Sequence, residues 1–144
     1  MSILHFCNEE PAVVHPDATV ADAIQVMVDR HVGAAAVVDG NSVVGIFTER
    51  DVLRKLALSG LDPATTPVKE FMSTPVETIR PDTSAGDAFA IMIGHHFRHL
   101  PVIDRTGKPL RILSIRNLLE ARVQELRQQL DSVEHYVTND ALGG

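Results

Sequence analysis

Residues 16–39 read PDATVADAIQVMVDRHVGAAAVVD, and residues 81–104 read PDTSAGDAFAIMIGHHFRHLPVID. Laid over each other at an offset of 65 residues, they pair Pro16-Asp17 with Pro81-Asp82, Asp22 with Asp87, Ala23 with Ala88, Met27 with Met92, His31 with His96, Val37 with Val102 and Asp39 with Asp104. Beyond Asp39 the offset becomes 66, which pairs Thr48 with Ser114, Asp51 with Asn117 and Leu53 with Leu119. The second copy therefore carries one extra residue, and such a slip belongs in a turn. The chain of 144 residues is one unit used twice, followed by a tail.

Each copy spells the same order of elements. A short apolar stretch (Val13-Val14, then Val76 to Ile79) runs into Pro-Asp, which stops a strand. Thr19-Val-Ala-Asp22 and Ser84-Ala-Gly-Asp87 follow, each a capping box in outline, with a hydroxyl for an orphan amide and a carboxylate at the positive end of the helix dipole. Apolar residues then recur at helical spacing, at Val20, Ala23, Ile24, Met27 and Val28, and at Ala85, Ala88, Phe89, Met92 and Ile93. Ala34 to Val38 and Leu100 to Ile103 have the pattern of buried strands, and hairpin chemistry (Asp39-Gly40-Asn41-Ser42; Asp104 to Pro109) leads to Val43 to Phe47 or Leu110 to Leu113. Thr48 or Ser114 is then placed to cap a second helix, Glu49 to Leu58 or Ile115 onward. The expected fold class is mixed α/β (α+β): two β-α-β-β-α repeats packed with pseudo-twofold symmetry, plus a long C-terminal helix. The repeats are expected over residues 6–58 and 73–122, joined by a linker (59–72) with one helical turn at Val68 to Met72 and followed by an extension (123–144).

Composition narrows the function. A formal charge of −6 with three lysines argues against binding nucleic acid through many neutralised phosphates. No apolar run reaches the length of a membrane span, and Met1 to Pro11 carries His5, Asn8, Glu9 and Glu10 where a signal peptide would be apolar, so a cytoplasmic protein is expected. Cys7 is the only cysteine, which excludes an internal disulfide and a Cys-based zinc site within one chain. His95, His96 and His99 cluster, but the helix should yield to a strand before His99 and no carboxylate completes the set, so no metal is expected. His31 matches His96 in the repeat, and a shared role at the helix end accounts for both.

Gly45-Ile46-Phe47-Thr48-Glu49-Arg50-Asp51 joins the second hairpin strand to its helix. A glycine allows close backbone approach, a hydroxyl sits at the cap, and a carboxylate follows three residues later. Two readings of Thr48-x-x-Asp51 stay open: a capping box, or a site for a sugar phosphate, with the phosphate at the helix N-terminus and the carboxylate on two ribose hydroxyls.

This motif, its doubled unit and His99-Leu100-Pro101-Val102-Ile103-Asp104 in the second copy resemble a tandem pair of cystathionine-β-synthase (CBS) domains, over roughly Phe6 to Arg122. The resemblance implies a non-catalytic regulatory module that binds an adenosine-containing ligand such as AMP, ADP, ATP or S-adenosylmethionine between the repeats. It places the ribose on Asp51 and the phosphate or ribose on Thr48, with Gly45 giving access. The matching residues of the second repeat are Arg111, Ser114 and Asn117, where Asn replaces Asp and Arg replaces Gly, its side chain either filling the cleft or offering a phosphate contact. Asn accepts with one neutral oxygen, so the two sites are expected to be unequal and the Thr48/Asp51 site the stronger. Arg98 and His99, where the first repeat has Gly33 and Ala34, are the expected phosphate ligands, His99 in a pH-sensitive way, with Arg50 and Arg116 as second choices. No cofactor is required by this reading, and no nucleophile–base pattern or Walker-type loop argues for an enzyme. The alternative is an oligomerisation scaffold that has lost its ligand.

The last helix outruns its repeat. Leu119, Val123, Leu126, Leu130, Val133 and Val137 form a heptad seam among polar residues, on a helix of roughly 34 Å at 1.5 Å per residue. Such a stripe needs a cover, either its own module or a partner helix. A homodimer through this seam is expected, with a separate, unidentified protein reading the ligand state.

Overall fold

The computed structural model describes residues 2–7 and 10–143, with side chains as far as Glu134. In the first repeat, strand β1 (Val13–Val14) leads to helix α1 (Val20–Arg30), strands β2 (Ala34–Asp39) and β3 (Ser42–Thr48), and helix α2 (Glu49–Asp51), which opens into a wide turn over Val52–Leu56. The second repeat has helix α3 (Ala85–His95), strands β4 (His99–Ile103) and β5 (Pro109–Ser114), and helix α4 (Ile115–Gly143).

The predicted caps form. Thr19 Oγ1 accepts from the Asp22 amide at 3.1 Å and Asp22 accepts from the Thr19 amide at 3.4 Å, a reciprocal box. Ser84 keeps only the first half, accepting from the Asp87 amide at 3.0 Å. Both helices end on a left-handed histidine, His31 at φ 55° and His96 at φ 58°, so the paired histidines do share the helix-terminal role. The additional residue of the second copy lies in the Asp104–Lys108 turn, where Asp104 Oδ1 accepts from the Thr106 and Lys108 amides at 2.8 and 3.0 Å.

The sheets differ in one respect that the sequence pattern did not reveal. β1 runs parallel to β2, which pairs antiparallel with β3, whereas β4 and β5 form a two-stranded sheet. Val76 to Ile79, expected as a strand, contributes one bridge, Ile79 to Val102. The reason is Pro101. In the first repeat the Ala36 amide donates to the Ala12 carbonyl at 2.8 Å; Pro101 occupies the matching position and has no N–H to give.

Two cores result. Val20, Ala23, Met27, Val37 and Phe47 centre the first; Ala88, Met92, Leu100, Val102, Leu113 and Leu118 centre the second. Each is completed from outside its repeat. Val68 and Phe71, from the connection, sit in the first core, and Ile3 and Cys7, from the N-terminus, sit in the second. The two segments correspond at the 65-residue offset, and both form a single tight helical turn, Ile3–Phe6 and Val68–Glu70. Burial raises the Cys7 thiol to about 11, which leaves it a buried, protonated hydrophobe.

On α4, Leu118 and Ala121 are fully buried, while the predicted stripe at Leu119, Val123, Leu126, Leu130 and Val133 is 47 to 58% exposed. The helix does not fold this face back over its own chain. Val137 lies outside the residues whose side chains are described.

Candidate functional site

The repeats meet through β2 and β5, and two related clefts open beside this contact. Thr48 and Asp51 line the first, of about 410 Å³. Ser114 and Asn117 line the second, of about 590 Å³. Gly33, Glu49, Arg98 and His99 lie on the wall common to both.

In the first cleft the helix cap and the candidate ligand carboxylate are the same group. Thr48 ends β3 in an extended conformation and its Oγ1 accepts from the Asp51 amide at 3.2 Å. Asp51 Oδ2 in turn accepts from the Thr48 amide at 3.0 Å and from the Thr48 hydroxyl at 3.2 Å. Its Oδ1 accepts from Ser73 Oγ at 2.9 Å and pairs with Lys55 Nζ at 3.1 Å. The Asp51 residue is only 4% exposed. A buried carboxylate persists only with such partners, and four acceptor positions are about all it has. The capping-box reading of Thr48-x-x-Asp51 thus holds, and the box lines a cleft.

The second cleft repeats this geometry in neutral form. Asn117 Oδ1 accepts from the Ser114 hydroxyl at 2.7 Å and from the Ser114 amide at 3.4 Å, and Ser114 Oγ accepts from the Asn117 amide at 3.1 Å. Because the backbone amide can only donate, the oxygen of Asn117 faces Ser114 and its NH₂ is the group left over.

Charge separates the clefts further. Arg50, Arg54, Lys55 and Arg98 line the first, against Glu49, Asp51 and Glu77. Arg50 reaches the His96 carbonyl at 3.4 Å, while among the described residues neither Arg54 nor Arg98 has a carboxylate within ion-pair distance. In the second cleft Arg116 pairs with Glu120 at 3.8 Å and Arg30 donates to the Glu10 and Pro11 carbonyls at 3.1 and 3.2 Å. Arg98 is open to both clefts, and Arg54 adds a second such cation in the first. The first cleft also holds a flat wall, the stacked rings of His95 and Phe97, 5.3 Å apart at 13°.

Three expectations change. Gly45 lines neither cleft; a Cβ there would meet Met72 Sδ at 2.5 Å, so the glycine admits Met72, not a ligand. Arg111 also lines neither: it sits opposite Val102 on β5 and its guanidinium donates to the Leu110 carbonyl at 2.6 Å. His99 is on the common wall, but burial first and the neighbouring Arg98 second push its pKa down to about 4. It is neutral throughout the physiological range and adds no pH sensitivity there.

Lys55, Ser73, Glu49 and Glu77 line the first cleft without having been singled out from sequence. Lys55 was within reach of sequence reasoning, because it lies one helical turn beyond Asp51. No metal cluster of three or more His, Cys, Asp or Glu side chains occurs among the described residues, and none of the described helices is long and apolar enough to cross a membrane.

A family model for the CBS domain matches residues 3–58 and 68–124. A 17.7 kDa protein of Acidianus ambivalens is 40% identical over 110 residues, 76% of this chain and 65% of that longer protein. Among solved structures, CBSX2 in complex with AMP superposes with a TM-score of 0.71 at 28% identity, covering 85% of this chain and 97% of that one. The CBS domain protein PAE2072 of Pyrobaculum aerophilum, complexed with AMP, gives 0.77 at 25% identity, covering 89% and 99%.

Proposed function

Because the chain belongs to the CBS-domain family, we propose that it is a regulatory binding module for an adenosine nucleotide, with the first cleft as the principal site. The observation that carries this reading is the buried Asp51 carboxylate capped on Thr48 at the wall of a cleft that also holds unpaired arginines. Asp51 would accept from the two ribose hydroxyls. Arg54 and Arg98 would hold the phosphate, with Arg50 beside them, and the His95–Phe97 pair offers the base a flat surface. Ser114, Asn117 and Arg116 would form a weaker second site. Binding, not reaction, is the chemistry these groups supply. The relatives complexed with AMP support the ligand class.

The test is thermal unfolding with AMP, ATP and GMP. A ligand held only by the native state raises the midpoint, by about 2.7 kcal/mol of added stability at a hundred times its Kd. A rise with AMP or ATP and none with GMP is expected. No rise with any adenosine ligand would sink the proposal and favour the ligand-free scaffold.

The second part of the reading is assembly. The exposed stripe from Leu119 to Val133 supports pairing of α4 with α4 of another copy, so that ligand state reaches a separate protein partner through the dimer. Light scattering of the full chain should give twice the chain mass, and removal of the residues after Arg122 should lower it to the monomer. An unchanged mass after truncation rules out the tail as the dimer contact.

A further inference from the structure

Lys55 spends its ammonium group on three partners: Asp51 Oδ1 at 3.1 Å, the Phe71 carbonyl at 3.2 Å and Ser73 Oγ at 3.2 Å. Ser73 passes its own hydroxyl hydrogen to Asp51 Oδ1 at 2.9 Å. The carboxylate proposed to hold the ribose is thus tied to the segment that joins the repeats. That segment is in turn fixed to β3 by a bridge in which the Ser73 amide donates to the Ile46 carbonyl at 2.8 Å and the Ile46 amide donates to the Ser73 carbonyl at 3.2 Å.

Two ribose hydroxyls need two acceptor positions on Asp51, and all four are taken. Those on Oδ2 belong to the cap, one of them a backbone amide that cannot leave without breaking the start of α2. Those on Oδ1 are side-chain groups from elsewhere, and Lys55 is half-exposed and can swing to water.

We infer that Asp51, Lys55 and Ser73 form a latch that the ligand opens: the ribose takes Oδ1 from Ser73 and Lys55, and the connection at residues 71–73 is released from the first repeat. This rests on the proposed ribose site and adds where its occupancy is felt. In the second repeat, Ala121 stands at the position of Lys55, so the device belongs to the first cleft alone. By linkage, whatever loosens the latch must tighten the ligand, and the ligand must loosen the latch.

Amide hydrogen exchange on the full chain, with and without AMP, tests this. AMP is expected to speed exchange at Ser73 and Ile46 about fivefold while slowing it at the cleft walls, consistent with one hydrogen bond of modest net strength. Ser73→Ala should give the same acceleration without ligand and bind AMP about three to ten times more tightly. Lys55→Met, probed with uncharged adenosine so that the lost charge does not act on a phosphate, should also bind more tightly. Slower exchange at both amides with AMP, or no gain in affinity in either variant, overturns the latch while leaving the ribose site standing. A wild-type chain that binds neither AMP nor adenosine overturns the site itself.

Discussion

Exchange of Asp51 for asparagine is expected to weaken AMP binding about a hundredfold in calorimetry, which corresponds to about 2.7 kcal/mol. The carboxylate would offer the ribose two charge-assisted hydrogen bonds, each worth about 1.5 to 3 kcal/mol in net terms. The single oxygen of asparagine would stay on the cap, leaving its NH₂ toward the ribose, and opening the latch returns part of the loss. The fold should survive, because the second repeat already carries this exchange: Asn117 accepts from the Ser114 hydroxyl and amide just as Asp51 does from Thr48. Asn117→Ala should change the same affinity less than about threefold, since it removes at most one neutral hydrogen bond from a cleft whose arginines are largely committed. Equal losses in the two variants would sink the inequality of the sites.

The second large effect is on stability. Gly45→Ala places a methyl group 2.5 Å from Met72 Sδ and 2.9 Å from its Cγ, distances that real contacts do not reach, so Met72 must move out of the first core's edge. Overpacking of this kind costs about 1 to 3 kcal/mol, or about 3 to 10 °C in Tm for a chain of this length. Met72→Ala should relieve it in the double variant, with a coupling energy of about 1 kcal/mol or more, whereas distant sites would add. Once folded at lower temperature, Gly45→Ala should bind AMP with unchanged affinity. A selective loss of AMP binding without loss of stability would restore the glycine to the ligand site.

These two positions mark the limits of reading the sequence. The repeat, the caps at Thr19, Thr48, Ser84 and Ser114, and the paired histidines were legible because they are local: spacing along one chain segment dictates them. The placement of Gly45 and Arg111 away from the clefts was not legible, for the opposite reason. They lie in the same motif as Thr48 and Ser114, but the strand register turns them away from the clefts. Val76 to Ile79 read as a strand because its own pattern is apolar, and the proline that prevents the pairing lies in another strand. Ser73 and Glu77 reach the first cleft from the start of the second repeat, ahead of α3, where no cap or repeat spacing marks a ligand. The repeat comparison singles out Arg98 and His99, which line both clefts, yet the depressed pKa of His99 comes from burial that only packing creates.

The exchange of leading turns between the two cores makes each half incomplete by itself. Ile3 and Cys7 begin the first repeat but fill the second, while Val68 and Phe71 begin the second but fill the first. A single such repeat, made as a separate polypeptide, would lack the piece that finishes it and would carry a piece that finishes a sister molecule. Two sisters would trade these ends about a twofold axis, each repairing the other. In the present chain the same trade takes place inside one molecule. Each half thus depends on the other's beginning to finish its core, while the two clefts differ in chemistry, one with the Asp51 carboxylate and the other with the Asn117 amide.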